Sequence, residues 1–190
     1  MSAWKLRDVI VMVVLAIVAG ALYRVWDILY NFIPTALYAG QAAMTGLWMI
    51  ASVLVAYIVR RPGAALLAEL IAASVELILG GQWGLSNLTA GLIQGIGAEL
   101  AFILFIYRGY HIVSCSLAGV LAALAAVLQW YFQYGGKALM VGTQVSYVIV
   151  ALVSGAVLGG ILPKLLADAL YRAGVLRNFA IAQQRKAMAR

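Results

Sequence analysis

GAALLAELIAASVELIL, residues 63–79, places two carboxylates inside an otherwise apolar run. Glu69 and Glu76 are seven residues apart, about two helical turns, so a helix would carry both on one face roughly 10 Å apart along its axis. In a membrane helix a carboxylate is expensive and marks function by default. Whether this run lies in a membrane therefore decides the fold.

Composition answers that. Of the 190 residues, 66% are hydrophobic and 10% charged, with a mean hydropathy of +1.03. Soluble domains are about half apolar and a quarter charged, so this chain reads as an all-α integral membrane protein. Working outward from 63–79, apolar runs of about 20 residues, the length that crosses a bilayer, fall at 8–26, 36–59, 63–79, 88–107, 112–132 and 139–162. Their continuous apolar character, without period-two alternation, favours helices over barrel strands. The expected architecture is a six-helix bundle in one transmembrane domain. The basic tail over 163–190 would be a short amphipathic helix on the membrane surface.

Net charge is +7, and its placement sets topology before it suggests any nucleic acid. Of thirteen Lys and Arg, only Arg24 and Lys137 fall on one side of the six spans; the others gather on the opposite side with both termini. The positive-inside rule then puts both termini in the cytoplasm. Lys5 and Arg7 before an apolar run ending Ala19-Gly20-Ala21 resemble a signal peptide, but an even helix number keeps the basic tail inside and supports retention.

Topology turns sequence position into depth. Glu76, Gln94, Gln129 and Gln144 come to similar outer depth on four helices, with Tyr38, Trp83, Asn87, Trp130 and Tyr147 near them. Interfacial aromatic belts do not account for that collection; a small polar pocket open to the outside does. One carboxylate among amides and rings suits a small cation or an aromatic heterocycle. Glu69 and Glu99 lie deeper and read as structural, sharing a proton or bridging two helices. Trp48 reads as core, or as a pocket floor. Ala16/Gly20, Gly91/Gly95 and Gly155/Gly159 read as internal packing, with docking to another membrane subunit as the sharper alternative for any one of them.

Enzymatic readings fail on the residues. The chain has one histidine and one cysteine, no HExxH and no GxxxxGK[ST], so neither metal-centred hydrolysis nor P-loop ATP hydrolysis is expected. No cofactor or metal is called for. Cys115 reads as a small core residue. A proton-coupled transporter using Glu69, Glu76 and Glu99 is the alternative, weakened by small size and the lack of an internal repeat.

Arg60-Arg61-Pro62-Gly63-Ala64-Ala65, Ala68-Glu69-Leu70-Ile71-Ala72-Ala73 with Glu76, and Gln94-Gly95-Ile96-Gly97-Ala98-Glu99 resemble the YkoE family, as does the tail AGVLRNFAI at 173–181. These are substrate-binding S components of energy-coupling factor (ECF) vitamin transporters. The resemblance implies a six-helix S-component fold in a bacterial or archaeal cytoplasmic membrane. It also implies an outward site for thiamine or hydroxymethylpyrimidine, with Glu76 holding the ligand. The implied partners are a transmembrane coupling protein and cytoplasmic ATPase subunits, with Ala16 and Gly20 as the nearest match to the family's coupling surface.

Overall fold

Apolar residues of high helix propensity, punctuated by Gly and Pro, build the described residues into helices joined by short loops, with no strand among them. The computed structural model describes residues 4–176 and 179–182. Arg177 and Asn178 of the tail motif, and the basic Arg185, Lys186 and Arg190, lie outside the described residues.

Helix α1 is Leu6–Tyr30, α2 Tyr38–Val59, α3 Ala64–Ile78, α4 Ser86–Leu104, α5 Ile112–Gln133 and α6 Val141–Arg172. All but α3 are long and apolar enough to cross a membrane; α3 has 15 residues. Two helices are irregular. In α2 the turn Thr45–Met49 tightens to 3-10 geometry, and in α6 the stretch Gly155–Ile161 widens to a π-helix. The irregular stretches meet: Ser154 Oγ accepts from Gly46 N at 2.9 Å and donates to Ala43 O at 2.6 Å.

Three boundaries differ most from the sequence expectation, and one is the end of α4, at Leu104 instead of residue 107. Helix α1 continues past Trp26 to Tyr30, and α6 continues past Pro163 to Arg172 instead of giving way to a separate surface helix there. Pro163 stands just after the π stretch, and the helix continues through it. Beyond α6, Leu176, Ile181 and Ala182 are buried against the end of the bundle.

The centre of the bundle is α2, every residue of whose Ile50–Val59 segment is buried. Helix α1 lies at the periphery and turns a broad apolar face, including Ile10, Val14, Val18 and Val25, outward. That pattern suits lipid on one side and packing on the other. Ala16 and Gly20 are on the packed side. A Cβ on Gly20 would strike the Ala72 carbonyl and come within 2.7 Å of Val75 Cβ, so this residue brings α1 against α3. The pair expected to form a coupling surface is thus corrected to an internal contact, because both residues are covered by the protein itself.

Glu99 has a more specific role than the sequence suggested. Helix α3 begins after Gly63, which cannot supply a side-chain cap. The Glu99 carboxylate reaches over from α4 and accepts from Gly63 N at 2.6 Å, Ala65 N at 2.9 Å and Leu66 N at 3.2 Å. It meets the orphan amides and the positive dipole end of α3 together. Tyr107 adds its hydroxyl to Oε1 at 2.7 Å; burial first, and this carboxylate second, hold its phenol well above the ordinary value. His111 likewise caps α5, accepting from Ser114 N on Nδ1 at 3.3 Å.

At the same end of the bundle, Asp8 accepts from Arg61 Nε at 3.3 Å, tying α1 to the α2–α3 loop. Asp168 accepts from Tyr57 at 3.0 Å and Lys164 at 2.6 Å, tying α6 to α2. Cys115 is buried without a disulfide.

Candidate functional site

The 3-10 turn of α2 interrupts regular pairing, and the amides just after it turn to side chains from other helices. Ala51 N donates to Tyr23 Oη at 3.1 Å, and Ser52 N to Glu69 Oε2 at 3.0 Å. Tyr23 in turn donates to Glu69 Oε1 at 2.9 Å. Both oxygens of Glu69 are therefore engaged, and the residue ties α1, α2 and α3 together at the base of a cavity.

That cavity has a volume of about 530 Å³, within the range of roughly 300–1,000 Å³ typical of small-molecule sites. It lies toward the end of the bundle bearing the α1–α2, α3–α4 and α5–α6 loops, opposite the end closed by Glu99 and Asp168. Aromatic rings make two walls. On one, Trp48, Tyr30, Trp83 and Tyr134 follow one another, with centroids 5.4, 5.9 and 5.2 Å apart in turn. On the other, Trp130 stacks on Tyr147 at 3.7 Å with 5° between the ring planes. Such faces accept a flat heterocycle or a cation.

Several of the polar groups lining the cavity are under-used. Glu76 is only 4% exposed although it lines the cavity, and its Oε1 accepts from no protein donor. Asn87, 3% exposed, has neither its amide nitrogen nor its oxygen paired, and the Trp48 indole N–H is also unpaired. Buried polar groups in a folded protein are nearly all paired, so this concentration of unpaired donors and acceptors sets the cavity apart from the rest of the bundle. Gln129 is partly occupied: its Nε2 donates to Gln133 Oε1 at 3.0 Å.

Of the residues expected from sequence, Tyr38, Glu76, Trp83, Asn87, Gln94, Gln129, Trp130 and Tyr147 all line this one cavity. Gln144 does not. Its Nε2 donates to the carbonyls of Leu139 at 2.9 Å, Gly136 at 3.2 Å and Lys137 at 3.3 Å, which commits it to closing its own loop. Tyr30, Gln41, Thr45, Trp48, Glu69 and Tyr134 are additional lining residues. Gln41 and Thr45 could have been found by following the face of Tyr38 along α2. Tyr30 and Tyr134 fall outside the apolar runs that define spans, where no periodicity marks them.

The chain has clear relatives. Residues 7–125 match the family model described as the permease component of an ABC-type cobalt transport system. Among the described residues no group of three or more His, Cys, Asp or Glu comes together as a metal site. A protein of Bacillus subtilis (strain 168), named YkoE and described as an HMP/thiamine permease, is 34% identical over 98% of this chain and 94% of its own length. A crystal structure of an S component of an ECF transporter superposes with a TM-score of 0.94 at 32% identity, covering 98% of this chain and 95% of that one.

Proposed function

The chain belongs to the family of the permease protein YkoE, a family of ECF-transporter S components, and on that premise we propose that it captures thiamine or its hydroxymethylpyrimidine precursor in the aromatic cavity for ATP-driven uptake by partner subunits. The observation that carries the reading is the combination of aromatic rings with the unpaired Glu76 carboxylate, Asn87 amide and Trp48 indole lining one cavity. Thiamine offers a flat aminopyrimidine and a cationic thiazolium. The pyrimidine can exchange hydrogen bonds with an amide and a carboxylate, while the cation suits the carboxylate or a ring face.

The proposed orientation opens the cavity to the outside and leaves both termini in the cytoplasm. Helix α3, packed between α1 and α4, is the sixth crossing. The charge distribution supports this: Arg24 lies at the cavity end, while Arg60, Arg61, Arg108 and Lys164 lie at the other. The protein performs no bond chemistry; capture is its part, and a coupling protein with ATPase subunits supplies the energy. The outward apolar face of α1, rather than Ala16 and Gly20, is the surface available for docking on that helix.

Calorimetric titration of the purified chain tests the reading. Thiamine binding below micromolar is expected, and Glu76→Gln should weaken it about tenfold or more, the worth of a charge-assisted hydrogen bond, with folded yield retained. Absence of binding to both thiamine and hydroxymethylpyrimidine would reject the vitamin site. Uptake by the chain alone in liposomes under a pH gradient would reject the need for partners.

A further inference from the structure

The loop between α3 and α4 holds three glycines, and they are glycine for different reasons. Gly80 and Gly84 have φ of +82° and +58°, in the left-handed region that favours glycine, and a Cβ on either would meet nothing within 4 Å. Gly81 is not in that region, so its backbone does not itself require glycine. The obstacle there is the wall of the cavity. A Cβ on Gly81 would overlap the amide nitrogen of Asn87 and stand 3.0 Å from Glu76 O and 3.2 Å from Glu76 Cγ.

Gly81 does not line the cavity, whereas Asn87 and Glu76 do. The Asn87 amide and the Glu76 side chain thus converge on the place that a side chain at position 81 would take. Asn87 is 3% exposed, and neither end of its amide has a partner in the protein. The loop is fastened around this point. Gly81 N donates to Glu76 O at 2.9 Å, Gln82 N donates to Asp27 Oδ2 at 3.4 Å, and the Trp83 ring contacts those of Tyr30 and Tyr134. A methyl group at position 81 would therefore be relieved by what yields most easily, the end of the Asn87 side chain, which has other rotamers to take.

We infer that Gly81 is a positioning residue of the ligand site: the room left by its missing side chain seats the Asn87 amide beside Glu76, with donor and acceptor both free for a ligand. The inference rests on the vitamin-binding reading and deepens it. An amide that donates and accepts at once matches an amino group next to a ring nitrogen, the edge that an aminopyrimidine presents. Thiamine and hydroxymethylpyrimidine share that ring. Gly81 therefore governs affinity for both, acting through Asn87 from outside the cavity.

The test is calorimetry on the full chain in detergent, with thiamine and hydroxymethylpyrimidine titrated into the wild type, Gly81→Ala, Asn87→Ala and the double variant. Gly81→Ala should weaken both ligands alike, by about tenfold, in the protein that remains folded. The double variant should bind as Asn87→Ala does, within about twofold, because the methyl group takes room that the amide has left. A general loss of structure would not produce that equality. Wild-type affinity in Gly81→Ala, or losses that add in the double variant, would overturn the role of Gly81 and leave the vitamin site standing. A loss confined to thiamine would overturn the assignment of the amide to the shared ring. No heat from either ligand in the wild type would overturn both readings. Where Gly81→Ala alone fails to fold, the double variant against Asn87→Ala still decides, since the space is free in both.

Discussion

Three glutamates in one membrane bundle have three different fates, and hydrogen-bond partners separate them. Glu99 meets three backbone amides and a phenol, Glu69 meets a phenol and one amide, and Glu76 keeps an oxygen bare. Glu99→Ala should therefore cost stability, about 2–4 kcal/mol, by stranding buried amides at the start of α3. Thermal unfolding in detergent should show the loss, with thiamine affinity little changed in the protein that remains folded. Sequence depth was enough to place Glu76 at the cavity, because this carboxylate shares its level with amides and rings. It could not reveal the amide-capping role of Glu99, since the groups it serves are backbone atoms 33 or more residues away. The same limit explains Gln144: depth put it beside the cavity, while three carbonyls of its own loop turned it away.

Among the elements, the α1–α3 contact is the one most exposed to single changes. Gly20 is where α1 touches the backbone of α3, so Gly20→Val must separate the two helices or strain them, at about 1–3 kcal/mol. Ala16→Leu acts in the same direction, since Ala16 is fully buried. Both should lower folded yield, measured by size-exclusion recovery in detergent. Normal yield with selective loss of partner assembly would return these residues to the surface. The spans themselves were legible because an apolar run of bilayer length has few alternatives. The irregular turns in α2 and α6 were not, because 3-10 and π geometry arises from helices fitting one another around Gly46, Ser154 and Gly155. Helix α6 running through Pro163 is a consequence of that fit, and a proline read alone predicts a stop.

Across the whole molecule, the unpaired polar groups gather at one end and most of the fastening contacts at the other. The cavity end carries unpaired polar groups and aromatic rings; the far end is closed by Glu99, Asp8 with Arg61, and Asp168 with Tyr57 and Lys164. Saturating ligand should stabilise the protein as a unit, by about 2.7 kcal/mol at a hundredfold excess over the dissociation constant. The short α3 carries a consequence for the surrounding lipid. Its 15 residues rise only about 22 Å, against a hydrocarbon thickness of about 30 Å. Tilt would only shorten the span, and with Glu99 at its start and Asp27 holding the loop beyond its end the helix is fixed at this length. As the proposed sixth crossing, with Leu67 and Ile78 facing outward, α3 favours a thinner bilayer around it. The protein should melt at a higher temperature in vesicles of short-chain lipids than in long-chain ones, a hydrophobic mismatch written into the membrane by one carboxylate at each end of a helix.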